Sequence, residues 1–161
     1  MSSRTFYDQV LALTGKGTPN YSLYAVPIAL ALCLLPHIFA IVVLSGGKFE
    51  NTSPRQYVAS VNKKEKKTGT DAAFLRAEAA QQNGLEQLGF FAAAVVAGNI
   101  AKLPAEELNA LAFGYCASRV AFNIVYITNT SEVLSYLRSA VFFVGVGLTT
   151  RLYFRAAQVL A

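Results

Sequence analysis

The chain has 161 residues, of which 54% are hydrophobic and only 14% charged, with a mean hydropathy of +0.40, so it is too apolar for a soluble domain of its size. Its net charge of +5 does not point to nucleic acid, because the cations gather in one stretch beside hydrophobic runs and carry no interleaved stacking aromatics. A bilayer, whose core of about 30 Å needs about 20 helical residues to cross, is the solvent this composition implies, with residues 1–161 forming a single membrane domain.

In chain order, the first twenty residues lack a basic region followed by an apolar run, so no cleaved signal peptide is expected. Phe6, Tyr7, Val10, Leu11 and Leu13 instead form a short amphipathic piece suited to the membrane interface. The first span covers 21–45, with Tyr21 and Tyr24 as an aromatic belt and Gly46-Gly47-Lys48 closing it. Pro36 within it predicts a kink. Residues 46–70 read as a polar loop in which Lys48, Arg55, Lys63, Lys64, Lys66 and Lys67 oppose only Glu50 and Glu65, which places the loop on the cytosolic side beside lipid headgroups. Further spans follow at 71–98, 105–128 and 133–157, each helical because lipid leaves no water for unpaired backbone groups. The expected fold is an all-α integral membrane four-helix bundle.

The second span carries Arg76, Glu78, Gln81, Gln82, Asn83, Glu86 and Gln87, although a charge at the bilayer centre costs about 2.5–3.5 kcal/mol even on the lenient insertion scale. At 100° per residue, Arg76, Asn83, Glu86 and Gln87 fall within about a third of the helix circumference. That sector is either a polar seam that glues helices together or a functional site, and the two are compatible. In the third span Tyr115, Arg119, Asn123 and Tyr126 share one face, where an arginine flanked by tyrosines suits a carboxylate. A purely structural alternative pairs Arg119 with Glu86. Arg138 and Ser139 open the fourth span, where the plain reading of Arg138 is a snorkelling interfacial anchor.

Cys33 and Cys116 sit in apolar runs, where a thiol acts as a small hydrophobe, and no spacing suggests a metal site. His37 is the only histidine, so a His-based metal cluster or catalytic triad has little material, and a hydrogen-bonding role at the Pro36 kink is expected.

Three blocks in order, Arg76-Ala77-x-x-Ala80-Gln81-x-Asn83-x-x-Glu86, then Arg119 with Tyr126, then Arg138-Ser139-Ala140-Val141-Phe142-Phe143-Val144-Gly145, give a sequence that resembles the MAPEG family of microsomal glutathione transferases and leukotriene C synthase. The resemblance covers all four spans. It implies a homotrimer in the endoplasmic reticulum or another endomembrane, with glutathione as cofactor in a cleft between subunits and a hydrophobic small molecule or lipid as substrate. The family's thiol-activating arginine falls on Arg138, its glutathione-contacting asparagine and glutamate on Asn83 and Glu86, and its tyrosine on Tyr126. Arg76 and Arg119 match family arginines and complete the expected binding set.

Three positions depart from the family pattern. Ala79 stands where transferases often carry a glutathione-binding arginine, and Phe122 where the leukotriene enzyme has tyrosine, so carboxylate binding is expected to be rearranged. Gly89 replaces a common proline. Two other activities stay open: a glutathione-independent isomerase or cyclase with Glu86 or Tyr126 as acid or base, and a non-catalytic scaffold like the five-lipoxygenase-activating protein. Ala79 favours the isomerase, and the presence of Arg138 speaks against the scaffold.

Overall fold

A computed structural model describes residues 17–161, and their secondary structure is entirely helical. The amphipathic piece expected over residues 6–13 lies outside the described residues. In chain order the helices are α1 (Ser22–Leu44), α2 (Pro54–Lys63), α3 (Gly69–Ile100), α4 (Ala105–Thr128) and α5 (Glu132–Leu160). Among them α1, α4 and α5 are long and apolar enough to cross a membrane. Polar side chains set α3 apart, yet its 32 residues reach about 48 Å at 1.5 Å per residue, more than a bilayer core is thick.

Local chemistry fixes the ends of these helices. Thr68 and Asp71 form a reciprocal capping box at the start of α3, and the Ser131 hydroxyl accepts from the Leu134 N–H at the start of α5. After α1, Gly46 and Gly47 adopt φ of +59° and +78°, a region costly for any residue with a Cβ. Within α1, Pro36 has no N–H to offer the Leu32 carbonyl one turn back. The Asn123 amide of α4 donates to that carbonyl instead, at 2.8 Å. Pro36 lies inside regular α-helix, and a π-helical turn over Ala40–Leu44 ends the span.

The stretch 46–70, read from sequence as a polar loop, contains α2. Its Tyr57, Val58 and Val61 face inward, and Phe49, Tyr57 and Phe74 form an edge-on ring series with centroids 5.3 and 5.6 Å apart. The amphipathic spacing in α2 is brief and set among lysines, so the cationic signal hides it.

The four long helices alternate in direction. At one end Asn20, Ser22, Asn99 and Asn109 link the start of α1 to the end of α3 and the start of α4 through bonds of 2.7–3.0 Å. Ala25, Ala29, Phe91, Leu108, Leu152 and Ala156 pack beneath them. At the other end a smaller cluster, Ala40, Val61, Phe74 and Ala77, joins α1, α2 and α3. Close approach at mid-bundle depends on small residues: a Cβ on Gly84 would lie 2.8 Å from the Cys33 sulfur and 3.3 Å from its Cα. Both cysteines are buried free thiols.

Candidate functional site

The polar residues of α3 and α4 do not project as one cluster. They divide among three neighbours, and the division decides which of them can meet a ligand. Tyr115, one turn before Arg119, stacks on Phe91 at 3.9 Å in the apolar core, so it does not flank a ligand as its helical face suggested. Asn123 turns to α1 and serves the Leu32 carbonyl. Of that face, only Arg119 and Tyr126 lie towards the polar residues of α3 and α5.

Arg119 is 3% exposed and has no acidic partner among the described residues. Its Nη2 donates to Asn83 Oδ1 at 3.0 Å, and its guanidinium lies 4.1 Å from the centroid of the Phe122 ring. The pairing with Glu86 allowed by the sequence is not formed: Glu86 is exposed and accepts from Gln82 at 3.2 Å. The cause is helical geometry, since Glu86 is 300° on from Asn83, which leaves the two side chains about 60° apart and only Asn83 directed at α4. Arg119 has donors only, so Oδ1 must be the Asn83 atom it meets, which leaves the Asn83 NH2 as the free, donating group.

Beside Asn83 a cavity of about 320 Å³ opens between α3, α4 and α5, lined by Phe122, Tyr126, Arg138, Ser139, Phe142 and Phe143 as well. Arg138 reaches it from the second turn of α5, with its guanidinium 4.7 Å from the centroid of the Tyr126 ring. No carboxylate of the described residues neutralises it. The Asn83 amide, the Arg138 guanidinium and the Tyr126 hydroxyl therefore offer hydrogen-bond donors, the Ser139 hydroxyl donates to the Ser135 carbonyl and is left to accept, and Phe122, Phe142 and Phe143 form apolar walls. Such a cavity suits an anion attached to, or approaching, something hydrophobic. Ser139 and the two phenylalanines were not singled out as site residues from sequence, although they stand in the block that contains Arg138.

Two other expected site residues sit elsewhere. Arg76 donates from Nε to the Ile127 carbonyl at 2.9 Å, so it satisfies a terminal carbonyl of α4 where a cation is favoured. Glu86 faces outward from the single chain. His37 Nδ1 lies 2.7 Å from Glu78 Oε1, an inter-helix bond from the turn that contains Pro36.

A family model described as the MAPEG family matches residues 24–158. No curated protein and no solved structure matches the chain.

Proposed function

Because the chain belongs to the MAPEG family, and is thereby an integral membrane protein related to glutathione transferases and eicosanoid-synthesising enzymes, we propose that it is a membrane-bound glutathione transferase or peroxidase. Its substrate is a hydrophobic electrophile or lipid hydroperoxide. The observation that carries this reading is that Asn83, Tyr126 and Arg138, drawn from three helices, line one cavity. In this reading α3 is a fourth span, the basic stretch faces the cytosol of an endomembrane, and three copies assemble so that Glu86 and Gln82 of one subunit face the next. An exposed carboxylate at this depth in a long helix is costly against lipid and acceptable against a polar neighbour.

In this reading the residues divide the work. Arg138 stabilises the glutathione thiolate, the Asn83 NH2 donates to the peptide, Tyr126 supports both the ligand and the Arg138 guanidinium, and Glu86 contributes at the subunit boundary. Arg119 acts behind Asn83 by fixing its amide, and Arg76 acts by holding the end of α4.

Magnitudes limit what Arg138 does. A thiol of pKa near 8.5 is about 3% ionised at pH 7, and lowering that pKa by two units takes about 2.7 kcal/mol. Thiolate rises about 25-fold, while a Brønsted slope near 0.45 removes about 8-fold of nucleophilicity, so ionisation alone gains about 3-fold. The larger share comes from holding sulfur against an electrophile already concentrated in lipid. The sulfur bonds to the electrophilic carbon as the leaving group departs. With a hydroperoxide, sulfur takes the terminal oxygen and the alcohol is released, and a second glutathione then gives the disulfide and water.

Titration of the detergent-solubilised protein with reduced glutathione, followed by heat and by the ultraviolet band of the thiolate, tests this. Saturable heat with a thiolate band at neutral pH is expected. A flat titration would remove the proposal.

A further inference from the structure

Six cations of the segment 46–70 gather at the end of the bundle where α1 finishes and α3 begins, and among the described residues only one of them meets an acid. Lys64 is bonded to Asp71 at 2.6 Å, beside the cap of α3. Lys48, Arg55, Lys63, Lys66 and Lys67 are exposed and make no ion pair among the described residues. The two acids of the segment do not offset them: Glu50 accepts from the Thr52 hydroxyl, and Glu65 is exposed without an ion pair. At the other end of the bundle, by contrast, Arg155 is met by both carboxylate oxygens of Glu107.

Folding of α2 also decides what this basic surface can touch. At 100° per residue Tyr57, Val58 and Val61 occupy one arc of about 100° and pack into the cluster of Phe49 and Phe74. Arg55, Gln56, Ala59, Ser60, Asn62 and Lys63 fall on the opposite arc and are exposed. That outer face has nothing more apolar than the Ala59 methyl, so α2 keeps no hydrophobic side with which to enter hydrocarbon, and what its outer face complements is negative charge. Lys48 lies four residues beyond Leu44, the last residue of a membrane span, and so at most about 14 Å along the chain from it. Charges interact over about 8–10 Å at moderate salt, which brings the surface of the surrounding bilayer within reach of these cations.

We infer that the outer face of α2 and the lysine run that follows it select anionic phospholipids from the adjoining leaflet, with the headgroup phosphate and carboxylate seated beside Lys63, Lys66 and Lys67. The selection is electrostatic and needs no apolar insertion. On its other side the same helix lends Pro54, Arg55 and Val58 to a cavity of about 450 Å³ shared with His37 and Glu78, so headgroups held on the outer face steady one wall of that cavity. This binding requires a bilayer around the chain and is independent of glutathione, so a flat glutathione titration would leave it standing.

The test sets two lipids in competition. Purified protein in a neutral detergent is equilibrated with equal amounts of phosphatidylserine and phosphatidylcholine of matched acyl chains, recaptured and washed, and the retained lipids are measured by mass spectrometry. A cation near a headgroup favours an anionic lipid by about fivefold, so phosphatidylserine should be retained over phosphatidylcholine by about fivefold or more at low salt. The preference should vanish when the wash is at about 1 M salt, where screening sets in within about 3 Å. Replacing all three lysines by Gln (Lys63→Gln, Lys66→Gln and Lys67→Gln) should bring the ratio to about one, whereas Arg at the same three positions should keep it, and Lys102→Gln at the other end should not lower it. Equal retention of the two lipids by wild type, or a preference that survives in the triple Gln variant or at high salt, overturns the inference. A loss of preference in Lys102→Gln as large as in the triple variant overturns it as well, because net charge rather than this face would then be responsible. Displacement of the lipid by an equal concentration of glycerophosphoserine or of a polyglutamate peptide would make the occupant a soluble anion and remove the bilayer as partner. Should the triple Gln variant fail to fold, the salt series and the two soluble competitors on wild type decide the matter.

Discussion

At the end of the bundle where α1 starts, Asn20, Ser22 and Asn99 bond to one another and Asn109 bonds to the backbone of Pro19 and Tyr21, above a core of Phe91, Leu108 and Leu152, whereas at the opposite end Arg138 and Arg55 find no charged partner among the described residues. Both ends contain polar residues. They differ in whether those residues are already satisfied. A helix end buried with its polar groups paired contributes to holding the helices together, while donors left open beside cavities cost stability unless a ligand or another subunit meets them. The first end is thus the scaffold and the second the working surface, and substitutions should separate the two.

The largest effect on folding should come from the scaffold. Phe91 is fully buried and stacked on Tyr115 at 3.9 Å. Phe91→Ala should cost about 3 kcal/mol, near the low end for such truncations, because lipid solvates a released ring better than water does. Thermal unfolding in detergent should show this loss, while glutathione affinity of the protein that remains folded should not change. A comparable loss of affinity would mean the two ends are coupled through α3.

Arg138→Ala should show the reverse pattern. Its guanidinium touches the Tyr126 ring and lines the cavity, so its loss should lower kcat by about 3-fold through ionisation and by up to about 10²-fold where it also holds the sulfur in place. Turnover of an aryl halide with glutathione measures it, and the unfolding temperature should barely move. Unchanged turnover would restrict Arg138 to the interfacial anchoring that its position near the start of α5 also suits.

Asn83→Ala should disturb both properties, because Asn83 lies on the boundary between the two regions. It removes the acceptor for a guanidinium that is 3% exposed and offers no replacement, so about 2 kcal/mol of stability should be lost along with the ligand contact. If Asn83→Asp, which keeps an oxygen for Arg119, restores stability without restoring glutathione binding, the two roles of Asn83 are resolved.

The same division explains what could be read from sequence. Long apolar runs announce α1, α4 and α5, and the Arg138 block together with Asn83 and Tyr126 identifies the cavity because those residues carry chemistry whatever their exact rotation. Rotation is what the sequence leaves open. A helical wheel places Asn83 and Glu86 in one sector, yet 60° is enough to send one into a cavity and the other outward. Pairings such as His37 with Glu78 or Arg76 with the Ile127 carbonyl depend on which helices become neighbours. Short α2 escapes for a further reason: ten residues give its amphipathic repeat too few turns to stand out from surrounding lysines.

The smallest effect should arise at the scaffold end, where one residue departs from the chemistry its conformation favours. The N–H of Leu103 bonds to the Gly98 carbonyl at 3.1 Å and that of Lys102 to the Asn99 carbonyl at 3.0 Å, the pair of bonds that closes a helix in the Schellman arrangement. The residue after the cap must then be left-handed, and Lys102 takes φ of +54° there. A side chain at that φ costs about 1–2 kcal/mol, whereas glycine adopts it freely but gives back part of the gain through a looser unfolded chain. Lys102→Gly should therefore raise stability by about 0.5–1 kcal/mol, read as a small increase in unfolding temperature. Because Lys102 is exposed and far along α3 from Asn83, glutathione affinity and turnover should both stay unchanged. A change in either would show that the turn between α3 and α4 adjusts the cavity at the other end, and the scaffold could then no longer be treated as separate from the surface it supports.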